Sequence, residues 1–263
     1  MIKLHQICDF LNDIAPTRLA EEWDNVGLLA GDRELEIQRV MTCLTITPES
    51  AEEAIEKDVG LVVSHHPLPF RPLKKITTDQ TATRLLWNLI RNNICIYSPH
   101  TGFDSAKSGI NQSVCEKMGL QNIQPIMLNP SEDEPIGAGR FGVLDSKLSL
   151  ESFVTELKKA YAVDSIRVVS RENREVSKVA SACGSGGSFL SSAIRLGCDT
   201  LITGEADFHT CLEAKAQNVN LILLGHHTSE RFAIENLAIR LGDQFHGLEC
   251  WASEKESDPI ICM

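Results

Sequence analysis

The chain lacks any stretch fit to span a membrane. No apolar run in its 263 residues nears the ~18 that a transmembrane helix needs, and the strongest are Leu221-Ile222-Leu223-Leu224 and Leu61-Val62-Val63. Its start lacks the continuous apolar block of a signal peptide, because Asp9, Asn12 and Asp13 interrupt it. A cytoplasmic protein is therefore expected. Positive charge is scarce: 25 Lys and Arg face 36 Asp and Glu, a net charge of −11. That balance excludes a general nucleic-acid or membrane-surface binder, which needs a basic face, but allows a local positive site. No C-x-x-C pair occurs among the nine cysteines, so a disulfide or zinc-thiolate framework is not expected, and the cysteines read as small reduced core residues. G-x-S-x-G is also absent, which removes the nucleophile elbow of serine hydrolases.

What is present is a globular composition, 43% hydrophobic and 23% charged, long enough for one large or two modest domains. Leu4, Ile7, Cys8, Leu11 and Ile14 share one helical face. Strands and helices then alternate: strand 40–46, a helix opened by the cap Thr47 and first-turn Pro48, strand 61–64, helix 79–93 and strand 95–98. A Pro- and acid-containing stretch, 121–139, looks like a domain crossing. A second series follows, with strands at 141–143, 166–169, 178–183, 200–203 and 221–224, and helices at 150–161, 189–196, 209–217 and 229–241. The expected fold is two α/β domains with mixed sheets flanked by helices. Residues 1–125, completed by 226–263, would form the first domain and 126–225 the second.

Histidine placement carries the chemical signal. Five of eight histidines directly follow strands: His65 and His66, His100, and His226 and His227. Open α/β sheets gather ligands at the carboxyl ends of their strands. One strand-end histidine usually satisfies a buried polar contact, whereas five form a constellation. Asp104 lies four residues beyond His100, and Glu230 four beyond His226; with Glu230 in the first turn of the last long helix, that spacing presents His226 and Glu230 together. Histidines with an aspartate and a glutamate are too many ligands for one tetrahedral zinc and suit two metals bridged by a carboxylate. A nitrogen and oxygen donor set without thiolates favours Zn, Mn, Fe, Co or Ni over Mg or Ca. Two divalent ions against two carboxylates leave a local positive excess, which attracts an anionic substrate group.

Five motifs stand in order along the chain: Glu22-Trp23-Asp24-Asn25-Val26-Gly27-Leu28, Ser64-His65-His66-Pro67-Leu68, His100-Thr101-Gly102-Phe103-Asp104, Thr203-Gly204-Glu205, and Gly225-His226-His227-Thr228-Ser229-Glu230. With them the chain resembles, over essentially its full length, the Nif-three-like dinuclear metal-centre family, also labelled GTP cyclohydrolase 1 type 2 homologs, in the short form without a middle domain. The resemblance implies that His65 and His226 hold one divalent transition-metal ion, His66 and Asp104 a second, and that Glu230 bridges them. It also implies a site between two α/β domains and a ring-like homohexamer.

Other groups have competing readings. Trp23-Asp24-Asn25 could bind substrate by stacking and polar contacts, or could be a capped loop with Trp23 filling a gap. His100, His227 and Thr101 suit proton transfer or support of the ligands. Glu205, Asp207 and His209 could supply an acid, or cap the next helix. The turn Cys183-Gly184-Ser185-Gly186-Gly187-Ser188 lacks a P-loop lysine and fails the dinucleotide fingerprint, so close helix–strand packing is the simpler account. The acidic runs 131–134 and 254–258 read as solvated surface. Two functions compete on the same five ligands. One is a metal-dependent hydrolase acting on an anionic substrate, with GTP ring opening or phosphoester cleavage as its chemistry and His227 or His100 moving protons. The other is a non-catalytic metal carrier or interaction protein.

Overall fold

The structure, a computed structural model, describes residues 2–171 and 174–261. It is a mixed α/β fold that divides into two compact units, residues 1–103 with 231–263, and residues 104–230. The chain passes between them inside the helices His100–Ser105 and His226–Gln244. Among the described residues no helix is long and apolar enough to cross a membrane.

The first unit is built on a five-stranded sheet in the order Glu249–Ala252, Arg39–Cys43, Leu61–Ser64, Cys95–Ser98, Gly27–Ala30. The first four strands are parallel and Gly27–Ala30 is antiparallel. Leu61–Ser64 and Cys95–Ser98 are buried at every position, as central parallel strands covered on both faces must be. The first helix, Leu4–Ile14, buries the five residues expected from its periodicity. Thr47 caps the helix Pro48–Glu56 by accepting a hydrogen bond from the Ser50 N–H at 3.2 Å. That helix and Thr81–Arg91 pack Ala51, Ala54, Leu85, Leu86 and Leu89 against Met41, Val62 and Ile96.

The second unit carries a six-stranded mixed sheet in the order Arg167–Val169, Asn220–Leu223, Thr200–Thr203, Glu175–Ala182, Arg140–Ser149, Gln121–Gln124. Its three middle strands, 220–223, 200–203 and 175–182, are parallel, and the flanking pairs antiparallel. One side of the sheet packs Phe153 and Leu157 on Val176, Val179, Ile202 and Ile222; the other packs Leu190, Ala193 and Ala214 on Ala180, Leu201 and Leu221. The stretch 121–139 supplies strands Gln121–Gln124, Met127–Leu128 and Gly137–Ala138. The eight described cysteines are all free thiols, and Cys262 lies outside the described residues.

Candidate metal-binding site

In the first unit, parallel pairing runs on past the strand Leu61–Ser64. The His65 N–H donates to Cys43 O at 3.0 Å and the His66 N–H to Leu44 O at 2.8 Å. Two consecutive histidines are thereby held at the strand's carboxyl end. His65 is buried, His66 half-buried, and His100 buried at the start of its helix. Each of the three offers a ring nitrogen, and these nitrogens lie within 4.8 Å of one another. A trio of imidazoles that close could hold a metal ion.

The backs of these rings are held too. His66 Nδ1 is hydrogen-bonded to Thr45 Oγ1 at 2.7 Å. His100 Nδ1 donates to Asp24 Oδ1 at 2.7 Å, and the same carboxylate accepts the Thr101 N–H at 3.1 Å and the Thr101 hydroxyl. Burial works to raise the Asp24 pKa, but the hydrogen bonds from His100 and Thr101 outweigh it and hold the carboxyl below its usual range. His100 has a backbone φ of +26°, in the left-handed half of the map that bulky residues avoid. Such strain persists where surrounding contacts over-determine a conformation, and it clusters at functional sites.

In the second unit, the strand Thr200–Thr203, the turn after Glu175–Ala182 and the start of the helix His226–Gln244 converge. His226 Nδ1 is 2.9 Å from Glu205 Oε1, and His226 Nε2 is 3.2 Å from Glu230 Oε2, one helical turn along. The hydrogen bond to Glu230, against the opposing effect of burial and with help from Glu205, raises the His226 pKa to about 9. Ser185 Oγ donates to Glu205 Oε1 at 2.6 Å. Asp104 Oδ1 accepts from the Cys183 thiol at 3.3 Å. Burial first, then the charges of Asp104 and Glu230, push the Cys183 pKa well up, so this thiol serves as a neutral donor to Asp104. Gly184, at φ +58°, leaves the space beside these groups: a Cβ there would stand 2.3 Å from Glu230 Oε1 and 3.2 Å from His226 Nε2. Close packing thus accounts for the glycine-rich turn.

Of the expected residues, His65, His66 and His100 belong to the first unit, and His226, Glu230 and Asp104 to the second, where Asp104 accepts from the Cys183 thiol. His227 follows His226, and its Nε2 is buried with no hydrogen-bond partner among the described residues. Glu205 and Asp207 have different partners. Glu205 holds His226, whereas Asp207 caps the helix Phe208–Ala216 through the Thr210 N–H at 2.8 Å. The sequence reading gave no role to Thr45 or Cys183. Thr45 stands just past the end of the strand next to Leu61–Ser64, and that neighbourhood was its only signal.

A model of the Duf34/NIF3 (NGG1p interacting factor 3) family matches residues 2–259 of the chain. A Clostridium perfringens protein named GTP cyclohydrolase 1 type 2 homolog is 34% identical over 260 residues, covering 98% of this chain and 99% of the relative. Among solved structures, the Staphylococcus aureus protein SA1388 superposes with a TM-score of 0.88 at 27% identity, covering 100% of this chain and 99% of that one. Reduced HcgD from Methanocaldococcus jannaschii gives 0.84 at 27% identity, covering 96% and 98%. The expected α/β fold and family resemblance are thus both found.

Proposed function

Because the chain belongs to the Duf34/NIF3 family, we propose that it is a hydrolase dependent on two divalent transition-metal ions and acting on an anionic substrate of nucleotide type. His65 and His226 would hold one ion, His66 and Asp104 the other, and Glu230 would bridge them. The supporting observation is the way the imidazoles are held. Thr45, Asp24 and Glu205 engage Nδ1 of His66, His100 and His226 respectively, which fixes each ring through that nitrogen. Metal-binding histidines are characteristically fixed through the other ring nitrogen, often by a carboxylate. The donor set fits the ions as well, since the clustered residues offer imidazole nitrogen and carboxylate oxygen.

Bound divalent ions would polarise the substrate and make water a nucleophile near neutral pH. The chain's own part is positioning and proton transfer. His100, with Nδ1 committed to Asp24, presents Nε2 as the atom that takes or gives a proton. His227 is the second proton carrier in this reading. The Clostridium relative's name supports ring opening of GTP as one candidate reaction, and phosphoester cleavage, which paired metals serve well, is the other. The resemblance extends the proposal to a homohexamer.

Elemental mass spectrometry on untagged protein purified without chelators tests the reading. About two transition-metal ions per chain are expected, falling sharply in Glu230→Ala. Metal near zero that added Zn or Mn cannot raise would overturn it. Metal-loaded protein that turns over no nucleotide or phosphoester in a panel would favour the carrier reading.

A further inference from the structure

Trp23 and Phe70 do not behave as core aromatics. Trp23 is 60% exposed and Phe70 46%, although tryptophan is highly buried on average. Yet the loops that carry them are pinned. Asn25 Nδ2 donates to Pro69 O at 2.7 Å, tying the Trp23 loop to the Phe70 loop. Asp24, between Trp23 and Asn25, is fixed by His100 and Thr101. The two rings meet at 5.8 Å between centroids with a 41° tilt. Each lies about one ring from His100, at 6.0 and 5.9 Å, and His100 in turn is 5.2 Å from His65 and 5.5 Å from His66. Two large aromatic rings therefore stand on pinned loops, exposed to solvent, beside the histidine cluster. A loop with Trp23 merely filling a gap would bury the ring; this one does not.

The surroundings narrow the ligand. The segment after Phe70 carries Arg71, Lys74 and Lys75, all exposed and in no ion pair among the described residues, on a chain of net charge −11. Rings 5.8 Å apart leave no room for a third ring between them, which needs about 7 Å, two van der Waals contacts. A ligand ring would therefore lie across the exposed faces and not between them.

We propose that Trp23 and Phe70 form a stacking platform for a planar heteroaromatic ring bearing an anionic substituent, and that Arg71, Lys74 and Lys75 attract the negative group. The platform fixes the substrate class of the metal-dependent reading and rests on it for the direction in which the ring's reactive edge points.

The test is titration calorimetry of the metal-bearing protein with guanosine monophosphate, nicotinic acid mononucleotide and ribose 5-phosphate, with metal content measured on the same samples. At least one ring-bearing probe should bind more tightly than ribose 5-phosphate. Trp23→Leu should weaken that binding roughly 5- to 100-fold, Phe70→Leu should weaken it in the same direction, and ribose 5-phosphate should not respond to either. Both side chains are exposed, so circular dichroism should show both variants folded. The proposal is overturned if neither ring-bearing probe binds, if both bind no better than ribose 5-phosphate, or if Trp23→Leu leaves their affinity unchanged. Trp23-dependent binding in protein that takes up no metal would sink the hydrolase reading and leave the platform standing.

Discussion

At the residue scale, the histidines were legible and their partners were not. Strand ends and local spacing single out His65, His66, His100, His226 and Glu230, because one stretch of chain determines each of those positions. Thr45 meets His66 from 21 residues away, Asp24 meets His100 from 76, and Cys183 meets Asp104 from 79. Such contacts depend on sheet order, which no local pattern encodes. Thr45 offers a clean test because it is exposed and deleting its hydroxyl leaves no cavity. Thr45→Val should leave stability within about 0.5 kcal/mol yet weaken metal retention roughly 10- to 100-fold, as losing a partner behind a ligand typically does. Chelator competition measures the second quantity, and wild-type retention in the variant would show that Thr45 does not hold the ring.

At the scale of elements, the loop from Thr203 to Phe208 does two jobs. The sequence offered Glu205 and Asp207 as interchangeable acid or cap candidates, since either could precede the helix Phe208–Ala216. In the structure Asp207 accepts from the Thr210 N–H and hydroxyl, and these bonds to the helix's first turn hold its carboxyl below the usual range. Glu205 turns back to Ser185 and His226, whose hydrogen bonds lower its pKa. The two substitutions should therefore dissociate. Asp207→Ala should lower the denaturant midpoint with unchanged slope through the lost cap, and leave metal content alone. Glu205→Gln should do the reverse, weakening metal retention with little change in midpoint. Equal effects on both measurements would mean that the loop acts as one structural piece.

At the scale of the whole molecule, the alternating α/β rhythm identified the fold class, while the side-chain contacts that fasten residues 251–256 to the first unit were not legible. Residues 254–258 read as solvated because they are charged, but two glutamates, one in the helix and one in this segment, bury their carboxylates where these meet. Glu256 accepts the Leu44 and Thr45 N–H groups at 2.8 and 2.6 Å. Glu53, fully buried on the helix Pro48–Glu56, accepts from the Ser253 hydroxyl at 2.6 Å, the Glu254 and Lys255 N–H groups at 3.0 Å and Trp251 Nε1 at 3.1 Å. With Lys57 Nζ at 3.2 Å as a fifth donor, the carboxylate is a specific lock that hydropathy does not reveal. Burial alone would raise the Glu53 pKa, but those hydrogen bonds bring it down from 4.5 to about 2. Because the folded value lies below the unfolded one, the group stabilises the fold fully above about pH 4.5, and that contribution fades as pH falls toward about 2. The shift corresponds to roughly 3 kcal/mol at neutral pH. Glu53→Gln should therefore lower stability by that order at pH 7, and its deficit relative to wild type should shrink steadily in denaturant titrations run between pH 5 and pH 2.5. A deficit that stays constant across that range would show that Glu53 acts through its shape and packing and not through its charge.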